Sequence, residues 1–293
     1  MDKFDPKQLL QEQLEAARPR AKFKAVQEPR RVGIEFSTEL QRIVLEIRKE
    51  VNRQIMPLLR DLAPNYVTDA WSDTLIGALR ALLARWQSPE FRAVAETLAS
   101  RFVRAANQVN ADRFNKSMGI DVFGDAPDLQ DFVDLAIADN TRLITSIPDQ
   151  YLRDIESAIM TNVRSGQRPS AIAKTLTQKF GVAQRRAEFI ARDQTAKVNA
   201  SLTQKRQTGA GFDFFRWIDS DDSRVRKRHS EIADKVTAYG KGIYRWDYPP
   251  LSDQGTPIIP GQDFNCRCIA QPVTRREVET NQKAGRVRVG VKR

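Results

Sequence analysis

The chain has 293 residues, 41% of them hydrophobic and 29% charged, and its 48 Lys and Arg against 37 Asp and Glu leave a formal net charge of +11. This length suits two domains with sizeable cores. The positive excess favours a polyanionic partner: nucleic acid, an acidic surface or an acidic protein. The two cysteines, Cys266 and Cys268, stand one residue apart and exclude a disulfide scaffold. The apolar stretch at 75–83 is cut by Arg80 and followed by Arg85, far short of a bilayer span. The start, Met1-Asp-Lys-Phe-Asp-Pro6, lacks a basic region followed by an apolar run. A protein made and kept in a cytoplasm, with no membrane partner, is expected.

Residues 1–35, with Pro6, Pro19 and Pro29, read as an extended arm that orders against a partner, with one short helix around Leu9, Leu10 and Leu14. Residues 36–181 read as helical. Leu40, Ile43, Val44, Ile47, Val51 and Ile55 step by three and four until Pro57 interrupts. Trp71, Leu75, Leu79, Leu82, Leu83 and Trp86 make a second stripe. Ser88-Pro89 is a cap followed by proline at the first helical position, with Phe91, Val94, Leu98, Phe102 and Val109 expected inward. After a break at 119–127, helical steps resume at Leu129. Pro148 is expected to open a new helix with Tyr151, Leu152, Ile155 and Ile159 inward, and a short helix should stop at Gly181. The helix at 183–207 is so polar, with Ile190, Val198 and Leu202 on its core side, that its other face is expected in solvent or against a partner.

The texture changes at Gly209. Residues 212–218 are aromatic and strand-forming, 223–236 read as a short helix, 239–260 as a long Pro-rich loop and 266–273 as another short strand. From 274 onward, Arg275, Arg276, Lys283, Arg286, Arg288, Lys292 and Arg293 oppose only Glu277 and Glu279, which predicts a flexible basic tail able to touch DNA phosphates without reading sequence. The fold class is therefore α+β: a mainly helical N-terminal region followed by a small mixed C-terminal domain with a few short strands.

The informative stretch is 211–272. It carries Phe215-Arg-Trp-Ile-Asp219, then Asp221-Asp-Ser-Arg-Val-Arg-Lys-Arg-His229, then Pro260-Gly-Gln-Asp-Phe-Asn-Cys-Arg-Cys-Ile269. His229 is the only histidine. With Cys266 or Cys268 it could form a nucleophilic pair; with both it could hold zinc, Asp219, Asp221 or Asp222 supplying a fourth ligand. The structural reading is that His229 and Asn265 hydrogen-bond the loop while a cysteine packs as a small hydrophobe. That reading needs no cofactor and no metal. Arg224, Arg226 and Arg267 read either as ion-pair partners of the nearby aspartates or as contacts to a partner. Trp217 reads as a core anchor.

In this order and spacing, Trp217, Asp222, Arg224, Arg226, His229, Pro260, Gly261, Asn265, Cys266, Arg267 and Cys268 resemble the Mu F-like family of phage head morphogenesis proteins, over about residues 183–273. The resemblance implies a Mu F-like domain at 182–273 that is structural, not catalytic. It further implies a minor head protein of a tailed bacteriophage, found in the virion at the portal vertex and assembled in the bacterial cytoplasm. The partners it implies are the portal protein and the major capsid or scaffold protein, with double-stranded DNA bound non-specifically. The rival readings are a nuclease or transferase-type enzyme built on His229 with nearby Asp or Cys, and a plain DNA-binding protein.

Overall fold

The structure, a computed structural model, describes residues 12–13, 16, 23–61, 70–119, 127–165, 167 and 169–287. The expected helix around Leu9, Leu10 and Leu14, the side chain of Trp71, and Arg288, Lys292 and Arg293 lie outside the described residues. Among the described residues the helices are α1 (Arg30–Asp61), α2 (Ala70–Trp86), α3 (Pro89–Met118), α4 (Pro127–Arg164), α5 (Pro169–Gly209), α6 (Lys227–Asp234) and α7 (Arg275–Lys283). The strands are β1 (Phe214–Ile218), β2 (Val236–Thr237), β3 (Gly240–Lys241), β4 (Ile243–Arg245) and β5 (Ile269–Val273). The class is α+β, and among the described residues every strand lies in the last third of the chain. The chain forms two compact units: one of Met1–Arg30, Arg104–Val133 and Asp193–Arg293, the other of Arg31–Val103 and Asp134–Arg192.

The second unit is helical. Leu40, Ile43, Val44, Ile47, Val51 and Ile55 are all buried, as their spacing predicts. The Phe36 and Phe102 rings stack 4.0 Å apart. Ser88 accepts a hydrogen bond from the Phe91 amide and Pro89 starts α3, the cap read from the sequence. The buried face of α3 is rotated from the expected one. It runs through Ala95, Ala99 and Phe102, while Val94 is exposed and Phe91 and Leu98 are only partly buried.

Three expected breaks are absent. Pro57 lies inside α1 on its exposed side, where solvent can satisfy the freed carbonyl, between buried Ile55 and Leu59. Pro148 lies inside α4, where the Thr145 and Ser146 hydroxyls donate to the Arg142 and Leu143 carbonyls one turn earlier. Gly181 lies inside α5, whose buried stripe Phe180, Ala183, Ala187 and Ile190 continues unbroken past it.

The first unit holds the sheet, ordered β4-β1-β5 and antiparallel throughout, with Phe215 opposite Tyr244 on one side and Pro272 on the other. One core gathers Phe215, Trp217, Ile232, Tyr244, Trp246, Ile259 and the two cysteines. Another gathers Phe214, Ile243, Val273 and Val278. Two sequence expectations are corrected here. Residues 23–29 pack on their own chain: Phe23 and Val26 are buried with Phe114, Met118 and Phe212, and Arg113 donates to the Gln27 and Glu28 carbonyls. The stretch expected to be a flexible tail from 274 is helical over Arg275–Lys283. Thr274 caps that helix by accepting from the Glu277 amide, buried Val278 anchors it, and Glu277 meets Arg216 at 2.6 Å.

The polar face of α5 is the largest correction. Arg185, Arg186, Glu188 and Arg192 are exposed as expected, but from Asp193 on the expectation fails: Asp193, Thr195, Asn199, Thr203, Arg206 and Gln207 are buried. The Asn110 amide donates to Asn199 and Thr203, both at 2.9 Å, and Arg206 donates to Asn110 Oδ1 at 2.7 Å and Asn107 Oδ1 at 2.6 Å. Burial pulls the Arg206 guanidinium down to about 10, which leaves it cationic at neutral pH.

Candidate metal centre and its loop

Three elements of the first unit converge on one point. β1 supplies Trp217, the first turn of α6 supplies His229, and the approach to β5 supplies Cys266 and Cys268. His229 is 3% exposed, Cys266 3% and Cys268 4%. His229 Nδ1 lies 3.5 Å from Cys266 Sγ and 3.6 Å from Cys268 Sγ. One donor atom from each of the three lies within 4.8 Å of the other two. The Trp217 ring meets the imidazole edge-on at 5.4 Å.

The cysteines are aimed by backbone conformation. Gly261 has φ +87°, and a Cβ there would sit 3.0 Å from Ala200 Cβ and 3.3 Å from the Ala196 carbonyl of α5. Asn265 has φ +53°, a left-handed conformation that asparagine tolerates better than most residues. Its amide donates to Asp193 Oδ1 at 3.1 Å, which ties the loop to α5. Arg267, between the cysteines, turns outward to a forked pair with Asp222 at 2.5 and 2.7 Å. That pairing, first through its hydrogen bonds, pulls the Asp222 carboxyl down to about 2.

His229 Nε2 lies 3.3 Å from Asp263 Oδ2, and the same carboxylate oxygen accepts from Arg226 at 3.1 Å. A carboxylate at Nε2 favours the proton on that nitrogen and leaves the Nδ1 lone pair facing the sulfurs. The Cys268 amide donates to Cys266 Sγ at 3.4 Å. Cys266 is pulled down by its hydrogen bonds with Cys268 and His229, against burial, while Cys268 is pushed up by its hydrogen bond with Cys266 and by burial. His229 is raised, chiefly by its contact with Cys266. The Trp217 indole N–H has no oxygen or nitrogen partner, and it acts on Cys268 in the direction that favours thiolate.

The ion-pair reading therefore holds for Arg267 with Asp222, while Arg226 joins Asp263. Asp219, Asp221 and Asp222 stand outside the donor group: Asp219 accepts from the Asp221 amide and Asp222 is occupied by Arg267. Instead of the 239–260 loop, His229 meets Asp263, just beyond it, and the Asn265 backbone N–H meets Asp193 of α5. Asp263 and Asp193 are the functional positions that sequence reading did not single out. Asp263 was visible three residues before Cys266 as an acid in a chelating stretch; Asp193 carried no signal, being one polar residue in a polar helix. For nucleophilic catalysis the surroundings are tight: the cavity bordering Cys268, lined also by Glu28, Ala196 and Pro260, holds about 10 Å³, room for roughly one water.

The other candidate surfaces are less organised. A cavity of about 670 Å³ is lined by Phe132, Lys205, Phe212, Arg245 and Arg275 among others. Arg245 there is paired with Asp247, and Arg275 with Asp213 at 2.6 Å, so the concavity carries its own counter-charges. Arg276, Lys283 and Arg286 are exposed on and just after α7. No helix among the described residues is long and apolar enough to cross a membrane.

Residues 153–271 match the protein family described as Phage Mu protein F like protein. The match contains every element of the site and begins earlier than the resemblance read from the motifs, taking in the end of α4 and all of α5. The chain is also 29% identical over 261 residues to an uncharacterized protein of Haemophilus influenzae (strain ATCC 51907 / DSM 11121 / KW20 / Rd), an alignment covering 86% of this chain and 55% of that protein. The chain thus spans about half the length of that curated relative. No solved structure matches it.

Proposed function

From the membership of residues 153–271 in the Mu F-like family, we propose that the protein is a minor head protein of a tailed bacteriophage that works by binding during head morphogenesis and resides in the virion. The family match is the observation that carries this reading. The portal protein is the partner proposed, with the major capsid or scaffold protein as the neighbouring contact, and the helical unit of Arg31–Val103 and Asp134–Arg192 is the docking body. A non-nucleophilic reading of the Cys-His cluster is supported by the burial of both thiols beside a cavity of about 10 Å³, roughly the room of one water.

The test is mass-spectrometric counting of the chain in heads purified from a lysate of the encoding phage, followed by cross-linking. Heads should contain it at few copies, cross-linked to portal protein. Heads that lack it overturn the reading, and cross-links confined to the major capsid protein overturn the portal assignment alone. DNA contact is a separate part of the proposal, supported by the +11 charge and by exposed Arg276, Lys283 and Arg286. It predicts weak, sequence-independent, salt-sensitive affinity.

A further inference from the structure

We propose that Cys266, Cys268 and His229 bind one zinc ion, and that this ion fastens α6 to the chain entering β5. A tetrahedral zinc with Zn–S of about 2.3 Å and Zn–N of about 2.0 Å requires its sulfur and nitrogen ligands to stand roughly 3.5 Å apart. The two distances here are 3.5 and 3.6 Å. A single Nδ1 lone pair or N–H can point along one hydrogen bond, yet this nitrogen is equidistant from two sulfurs, as it would be with an ion between all three.

The surroundings repeat the pattern. Asp263 at His229 Nε2 makes a carboxylate–histidine pair, the usual support for a metal-bound imidazole, which leaves Nδ1 as the ligating atom. The Cys268 amide donates to Cys266 Sγ, and the Trp217 N–H lacks any oxygen or nitrogen partner beside Cys268. Both are donors suited to thiolate sulfur. Donors of two thiolates and one imidazole select zinc over magnesium or calcium, which need oxygen ligands. Two distant pieces of chain supply the donors, α6 through His229 and the approach to β5 through the cysteines, so the ion closes the 229–266 loop in a domain whose strands are two to five residues long.

The site is independent of the head-assembly reading. A chain that holds zinc and never joins heads keeps this proposal and overturns the other. The experiment uses the full chain, purified without a metal-binding tag under reducing conditions. Elemental analysis should give one zinc per chain. Replacement by cobalt should produce a sulfur-to-cobalt charge-transfer band and the strong visible bands of a four-coordinate site. Cys266→Ser and Cys268→Ser should each abolish the charge-transfer pattern of the two-sulfur site. Asp263→Asn should keep the stoichiometry and weaken affinity roughly 10–100-fold in a competition with a chromogenic chelator. Chelation of the wild type should lower its thermal midpoint. Substoichiometric zinc, no cobalt uptake by the reduced chain, and equal reactivity of both thiols with and without added zinc would overturn the proposal. These wild-type readings decide the matter even where a cysteine variant fails to fold.

Discussion

Gly261 shows how one residue sets the geometry of a site it does not join. Its φ of +87° excludes β-branched and bulky residues, and its missing side chain leaves room for α5 at Ala196 and Ala200. Gly261→Ala should therefore cost about 2–4 kcal/mol, the left-handed strain plus displacement of a packed helix. Thermal or urea unfolding measures it, and a loss under about 0.5 kcal/mol, the size of an ordinary surface substitution, would contradict the packing described. Asp222 gives a prediction of a different cause. Its carboxyl stands at about 2 in the folded chain against an ordinary 3.8, because Arg267 binds the charged form. The unfolded chain holds the proton more tightly, so the pair's contribution is complete above 3.8 and is lost as pH falls through that value toward about 2. Asp222→Asn should flatten the stability–pH curve across that window and leave its shape above pH 5 or so unchanged. Stability measured from pH 2 to 7 checks it; an unchanged acid limb would mean that the Arg267 fork does not form in solution.

At the scale of elements, α5 carries the most consequence. Its apolar positions were legible: Ile190, Val198 and Leu202 are buried as their spacing requires. Its polar residues were legible as far as exposed Arg192 and not from Asp193 on, because periodicity cannot tell a solvated polar face from one that meets partners contributed by α3. Asn110 and Asn107 stand 96 and 99 residues from Arg206, and nothing local to either helix announces the pairing. The same limit hid Asp263 behind His229 and Asp193 beneath Asn265, whereas the cysteines and His229 were readable as a donor set from residue type alone. The α5 network predicts non-additivity. Asn110→Ala takes from Arg206 one of its two side-chain acceptors and from Asn199 and Thr203 their shared donor, and should cost about 1–3 kcal/mol, the penalty of buried polar groups left without that partner. Arg206→Met should cost less, and the double variant should fall well short of the sum, with a coupling on the order of 1–3 kcal/mol by urea unfolding. Additive losses would show that the two side chains do not share a network.

At the scale of the molecule, the net charge of +11 raises the question of which cations remain to meet a polyanion. Sequence alone weights the basic residues after 274 equally, yet the fold separates them. Arg275 is held by Asp213 through two hydrogen bonds at 2.8 and 2.6 Å, so its charge is already spent. Arg276, Lys283 and Arg286 are exposed on and just after a helix that Thr274 and Val278 fix in place. If phosphates are the partner, each exposed cation in contact releases about one counterion, so neutralising all three should reduce the slope of log affinity against log salt by roughly 2–3. Arg275→Ala should leave that slope unchanged and lower stability by no more than about 1 kcal/mol, since the pair is largely exposed. Binding to random-sequence duplex DNA across a salt series measures both. A slope that falls as much for Arg275 as for the exposed cations would mean that contact is governed by net charge; a slope untouched by the triple variant would move the DNA-facing surface off α7 and leave the +11 charge to an acidic protein partner.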